Sequence, residues 1–190
     1  MNNLSSARNE NKKAKSTALI AINTILVLVI LVLVFVIASI NTLWAPYTVS
    51  GPSMENTFVD GDKVIIIKKG YSLDYGDIII FNRNEDRKVI KRVIALPGDR
   101  IRYSRIEKVW YRNGDKLIEE YVNGEYPDSY LTATTTTDIE IYIALTSDEG
   151  LLVNENEVFV LGDNRKDSYD SHAYGSISQD LIIGKYLLKY

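Results

Sequence analysis

The chain predicts a mainly β domain behind one N-terminal transmembrane α-helix, on three observations. Residues Ala18 to Ile40 are apolar apart from Asn23, Thr24 and Ser39. Beyond Pro46, short runs of Ile, Val and Tyr alternate with turns built from Gly, Asp and Asn. After Trp44 no window of about eleven residues carries a 3.6-residue apolar period.

Residues 1–16 form a polar tail that carries Arg8, Lys12, Lys13 and Lys15 against Glu10. The Ala18–Ile40 run, as a helix, is about 35 Å long and covers a hydrocarbon core of ~30 Å. A cleavable secretory signal has an apolar core of only about 7–15 residues, so the run reads as an uncleaved anchor over 17–45. Basic residues precede it and none follows until Lys63. That asymmetry predicts a cytoplasmic N-terminus and an extracytoplasmic domain over 46–190. Trp44 and Tyr47 fall where aromatic side chains favour the membrane interface.

Within 46–190, Lys63–Lys68 reads as a strand between Asp60-Gly61-Asp62 and Lys69-Gly70. Asp77–Phe81 is a second, and Lys88–Leu96 a third, stopped by Pro97-Gly98-Asp99. Asn113-Gly114 and Asn123-Gly124 read as hairpin turns. Thr132–Thr137 reads as an exposed loop or edge, and Val158–Leu161 and Ile182–Leu188 as closing strands. Residues 104–155 form a small cap whose fold the pattern leaves open. The 13 Tyr favour strands in this part. A net charge of −3 argues against a nucleic-acid partner. The absence of Cys excludes disulfides and thiolate metal sites.

Three stretches offer chemistry. In Val49-Ser50-Gly51-Pro52-Ser53-Met54, Gly51 permits a close backbone approach and Pro52 fixes φ. Together they would hold Ser53 on a stiff, exposed strand end; the plain alternative is an ordinary Gly-Pro-Ser turn. Lys91 and Arg92 interrupt the apolar run Val89–Val93, so one faces inward or lines a cleft, unless both are solvated edge charges. A desolvated lysine has a lowered pKa and, as a neutral amine, takes the proton of a serine hydroxyl. Gly162–His172 is a polar loop after an apolar strand, held by side-chain hydrogen bonds or simply solvated. A calcium loop is the rival there, but Arg165 stands at a ligand position and no Gly marks the sharp turn.

Ser53-Met54, Gly76-Asp77-Ile78, Lys91-Arg92-Val93-Ile94-Ala95-Leu96-Pro97-Gly98-Asp99 and Gly162-Asp163-Asn164-Arg165 with Ser168 and Asp170 occur in this order. The set resembles the bacterial type I signal peptidases over roughly residues 17–190. The resemblance implies an antiparallel, barrel-like β domain with Ser53 as nucleophile, Lys91 as general base and the Ser53 N–H in the oxyanion hole. It implies that Ser168 orients the lysine amine, that Asp170 is a structural carboxylate, and that no cofactor is needed. A signal peptide would add as a strand beside Thr48, Val49 and Ser50 and beside Val89 and Ile90, with small side chains selected in Ala-x-Ala fashion. The partners implied are exported preproteins, the bilayer of the bacterial plasma membrane and a neighbouring translocon.

The chain departs from the family pattern in places. Asn56 stands for a usual Pro, Phe58 for Leu and Ala95 for a common Gly. Gly51 lacks the hydroxyl that some members add to the oxyanion hole, and His172 replaces an Arg that commonly partners the aspartate. These raise the prospect of a narrow client set, such as surface-fibre subunits. The rivals are a non-catalytic member of the fold, a self-cleaving Ser-Lys repressor, and the type that uses a His base. Ser53 and Lys91 are both present, the chain has a membrane span where a repressor has a DNA-binding segment, and its lone histidine, His172, lies in the wrong motif.

Overall fold

Residues 2–85, 87–122 and 136–190 are described by the structure, a computed structural model. The chain divides after Leu43 into two units. The first is helix α1 (Asn2–Leu43). Its stretch Lys15–Leu43 has the length and composition to cross a membrane, and none of it is buried. The hydroxyls of Thr24, Ser39 and Thr42 donate to the carbonyls of Ile20, Phe35 and Ala38 at 2.9, 2.8 and 2.7 Å. Two of the three polar interruptions of the apolar run, Thr24 and Ser39, are thereby satisfied inside the helix, as a hydrocarbon environment demands.

The second unit is built from β1 (Trp44–Thr48), β2 (Lys63–Ile67), β3 (Ile78–Asn84), β4 (Arg87–Ala95), β5 (Arg100–Ser104), β6 (Val109–Arg112), β7 (Asp115–Lys116), α2 (Thr136–Thr146), β8 (Leu151–Leu152), β9 (Glu157–Leu161), α3 (Ser171–Tyr174), β10 (Ile177–Ser178) and β11 (Ile182–Lys189). Among the described residues one sheet runs β1-β2-β11-β3-β4-β9-β10 and a second runs β7-β6-β5-β8. Every pairing is antiparallel. The mainly antiparallel β expectation holds.

The Ile78-Ile79-Ile80-Phe81 run has no polar alternation because both faces of β3 are covered. Ile78 and Ile80 pack with Val49, Met54, Phe58 and Ile90. Ile79 and Phe81 pack with Val93, Val158 and Val160 on the other side. A strand buried on both faces reads as a continuous apolar run. A third cluster, around the wholly buried Trp110, joins the second sheet to the ends of β4 and β9. At Asn113-Gly114 both residues have positive φ (53° and 90°), as a two-residue hairpin turn requires.

Two expectations are corrected. Ser53 lies in a turn over Gly51–Thr57, not on a strand end. Backbone bonds from Glu55 N to Pro52 O and from Phe58 N to Met54 O curl the chain there, pulled in by the buried Met54 and Phe58. Second, α2 lies in the 104–155 cap, whose fold the pattern leaves open, and departs from the reading that no 3.6-residue period occurs after Trp44. Ile139, Ile141 and Ile143 alternate as in a strand, yet the segment is helical, because Ile141, Tyr142 and Leu145 meet the Trp110 cluster at helical spacing. Of the Thr132–Thr137 tract, Thr136 and Thr137 open α2; the rest of it, and Asn123-Gly124, lie outside the described residues.

Candidate active site

Strand β4 is flanked by β3 and β9, but its pairing with β9 begins only at Arg92. The edge from Arg87 to Lys91 is therefore open among the described residues. Lys91 stands at the end of that edge, yet it is only 3% exposed, which disposes of the solvated edge charge. Its Nζ lies 2.6 Å from Ser53 Oγ and donates to Ile90 O at 3.0 Å. Burial takes the amine from its ordinary 10.5 down to about 8. The Asp170 carboxylate pulls it back up, while the Arg87 and Arg83 guanidiniums push it further down. A buried lysine near neutrality is what a proton-accepting amine needs.

The Ser53 turn is held from several directions. Gly51, at φ 85°, donates its N–H to Asp60 Oδ1 at 2.8 Å. Ser53 O accepts the Asn164 N–H at 3.1 Å, and Pro52 O accepts from Asn164 Nδ2 at 3.2 Å. Among the described residues the Ser53 N–H has no hydrogen-bond partner, so it is free to face an anion. Asn56 has φ 88°, a conformation closed to the proline usual at this position.

The Gly162–His172 loop closes the site. A Cβ on Gly162 would collide with Ser168 Oγ and with the carbonyl of Ser53, so only glycine lets the loop reach the nucleophile turn. Asp170 is wholly buried. It accepts from Gly162 N at 2.8 Å, Ser168 Oγ at 2.5 Å and His172 N at 3.3 Å, and its Oδ1 lies 2.6 Å from His172 Nδ1. Burial alone would raise its pKa, but the His172 contact with the other donors holds the carboxyl below its ordinary value.

The structure therefore gathers Ser53, Lys91, Ser168, Asp170 and His172, with one difference from expectation. The Ser168 hydroxyl is given to Asp170 and not to the lysine amine, whose partners are Ser53 Oγ and Ile90 O. Of the substrate-side residues, Ser50, Val89 and Ile90 line a cleft of about 550 Å³ that contains Ser53 and Lys91. Thr48, the last residue of β1, is exposed but outside that lining. Val49 is buried, and both its backbone groups are taken, by Asp62 O and Gly61 N.

Sequence reasoning quoted Arg92 and Asp163 without giving them work. Arg92 grips the buried Asp163 through Nε at 2.8 Å and Nη2 at 2.5 Å, and Thr57 Oγ1 donates to the same carboxylate. Strand β4, the nucleophile turn and the closing loop thus meet at one carboxylate. The signal was available: an Arg beside Lys91 in an apolar strand and an Asp straight after Gly162 each needed a partner. Arg165, in the same loop, is paired with Glu119 at 2.9 and 2.5 Å.

Residues 21–190 match the family model described as signal peptidase, peptidase S26. The chain is 33% identical over 148 residues to signal peptidase IB of Staphylococcus aureus (strain COL), covering 76% of each chain. It is 35% identical over 153 residues to signal peptidase I of Bacillus caldolyticus, covering 78% of this chain and 80% of that one. A crystallised signal peptidase I from Enterococcus faecalis V583 is 34% identical, with 63% of this chain and all of that one covered at a TM-score of 0.47.

Proposed function

This chain belongs to the signal peptidase family, peptidase S26, and from that premise we propose that Ser53 is its nucleophile and Lys91 its general base. It is a signal peptidase I, a serine endopeptidase whose substrates are preproteins that carry signal peptides. The observation that carries the assignment is the 2.6 Å approach of the buried Lys91 Nζ to Ser53 Oγ.

A preprotein strand lies along the open Arg87–Lys91 edge of β4, in a strand-addition mode, with its scissile carbonyl at Ser53. Neutral Lys91 takes the Ser53 hydroxyl proton as Oγ bonds to the carbonyl carbon. The oxyanion faces the Ser53 N–H. The protonated amine then gives its proton to the departing amine of the mature protein as the C–N bond breaks. Water, deprotonated by the same lysine, attacks the ester carbonyl, and the lysine returns that proton to Oγ as the acyl–oxygen bond breaks, which restores Ser53. Asp170 and Ser168 act as positioning residues: together with Gly162 they set the wall against which the Ser53 turn rests. Small residues in the Ala-x-Ala pattern lie beside Val89 and Ile90, two apolar residues of the cleft lining.

The polar tail up to Lys15 lies in the cytoplasm, α1 crosses the plasma membrane, and residues 46–190 work outside, where preproteins emerge beside the translocon. The altered nucleophile turn, with Gly51 and with Asn56 at φ 88°, goes with a narrow client set. The test is incubation of the detergent-solubilised full chain with a panel of secretory precursors, read by N-terminal sequencing of the products. Cleavage after small residues is expected. Cleavage elsewhere, or none in any precursor, would count against the reading.

A further inference from the structure

The cleft around Ser53 and Lys91 is also cationic. Arg83, Arg87 and Lys88, from the β3–β4 hairpin, and Lys166, from the closing loop, line it against one lining carboxylate among the described residues, Asp167. Some cations elsewhere in the domain sit in ion pairs, as in Arg92–Asp163, Arg165–Glu119, Lys185–Asp77 and Lys189–Asp62. Among the described residues none of the four cleft cations is paired with a carboxylate. The Arg83 guanidinium lies over the ring of Tyr169, 4.2 Å from its centroid, and 5.4 Å from that of Tyr174. The two rings hold it in place without neutralising it. Four like charges gathered about one lining carboxylate repel one another, and an anionic ligand relieves that repulsion.

The geometry places this charge at a definite reach from the reaction. A strand rises about 3.3 Å per residue, so Lys88 and Arg87 lie about 10 and 13 Å along β4 from Lys91. A peptide added along the open edge, with its scissile residue at Ser53 and its small side chains beside Ile90 and Val89, brings the residues before them to Lys88 and Arg87. We propose that this cationic rim is a specificity element that selects preproteins with an aspartate or glutamate three to five residues before the cleaved bond. The proposal rests on the Ser53–Lys91 reading and on strand addition beside β4.

The experiment measures kcat/KM of the full chain in a non-ionic detergent with peptides that differ only in Glu, Gln or Lys at the fourth residue before the bond. The Glu peptide is expected to be preferred over Gln by about fivefold at low salt, with the preference shrinking as salt screens it. The double variant Arg87→Glu, Lys88→Glu should turn the preference toward Lys. Because the readout is a ratio between peptides, any change in Lys91 protonation cancels. Equal rates for Glu and Gln overturn the rim and leave the Ser53–Lys91 pair standing; cleavage of none of the peptides overturns the pair and the rim with it. A preference that the double variant keeps, or one that appears only with the acidic residue after the bond, also overturns the rim. So does a double variant that loses affinity for phosphatidylglycerol vesicles while its peptide ratio stays unchanged, since the rim then serves lipid.

Discussion

Replacing Lys91 by methionine should destroy activity and make the protein more stable, with a pH signature that identifies the cause. The amine is 3% exposed and falls from 10.5 to about 8 on folding. At about 1.36 kcal/mol per pH unit, that drop means the folded state carries about 3 kcal/mol of desolvation cost at pH 7. Lys91→Met removes the charge at similar volume but forfeits the bonds to Ser53 Oγ and Ile90 O, worth about 1 kcal/mol net. The expected gain is about 2 kcal/mol at pH 7, or about 4–8 °C in Tm for a domain of this size. The sign follows from proton linkage. Between about 8 and 10.5 the unfolded chain binds more protons than the folded one, so wild type gains stability as pH rises through that window, and the advantage of the variant fades by about pH 10. The assay is thermal unfolding of the full chain in detergent, followed by the fluorescence of Trp110, which is buried in the domain core. A variant less stable than wild type at pH 7, or a difference unchanged between pH 7 and 10, would refute the claim that burial tunes this lysine.

Ser53→Ala and Lys91→Ala should each lower kcat/KM by several decades, and the double variant should be no worse than either, because the two act as a unit; precursor cleavage by single-turnover kinetics measures it, and additive losses would contradict the pairing. Gly162→Ala should cost at least about 10²-fold in kcat while the domain still melts cooperatively, since the added methyl displaces the Ser53 turn from Lys91. His172→Ala removes one donor from the buried Asp170 and should cost about 1–3 kcal/mol. That loss persists at neutral pH and fades only as acid protonates Asp170 below the ordinary carboxylate range, whereas His172→Arg, charged at every working pH, should keep both Tm and activity. Melting curves of both variants at neutral and acid pH decide it, and a His172→Ala variant that melts like wild type ends the pairing.

Five strands of the large sheet, β2, β3, β4, β9 and β11, were legible, as apolar runs bounded by turn residues and, for β3, covered on both faces. Strand β1 reads as the end of the anchor, and β10 was not read at all. Helix α2 was not, since its alternating isoleucines carry a strand pattern that packing against Trp110 overrides. At the site, Ser53 and Lys91 stood out because a Gly-Pro-Ser turn and a lysine in an apolar strand are each locally costly. What the residues alone left hidden was partnership across the chain. Asp163 serves Arg92 and Thr57 from far along the chain. That Arg92 and Asp163 each needed a partner could be read locally; which partner each finds is set by the way β4 and the closing loop are brought together.

The central claim is that a lysine neutral near physiological pH activates Ser53. The pH dependence of covalent labelling at Ser53 tests it most directly, using a peptide ester that acylates serine and mass spectrometry of the modified peptide. With the amine at about 8, the labelling rate should rise about tenfold from pH 7 to pH 9 and level off above, as the neutral fraction does, and Lys91→Met should abolish the rise. Labelling that falls on another residue, or that proceeds at one rate across pH 7 to 9, would contradict the account.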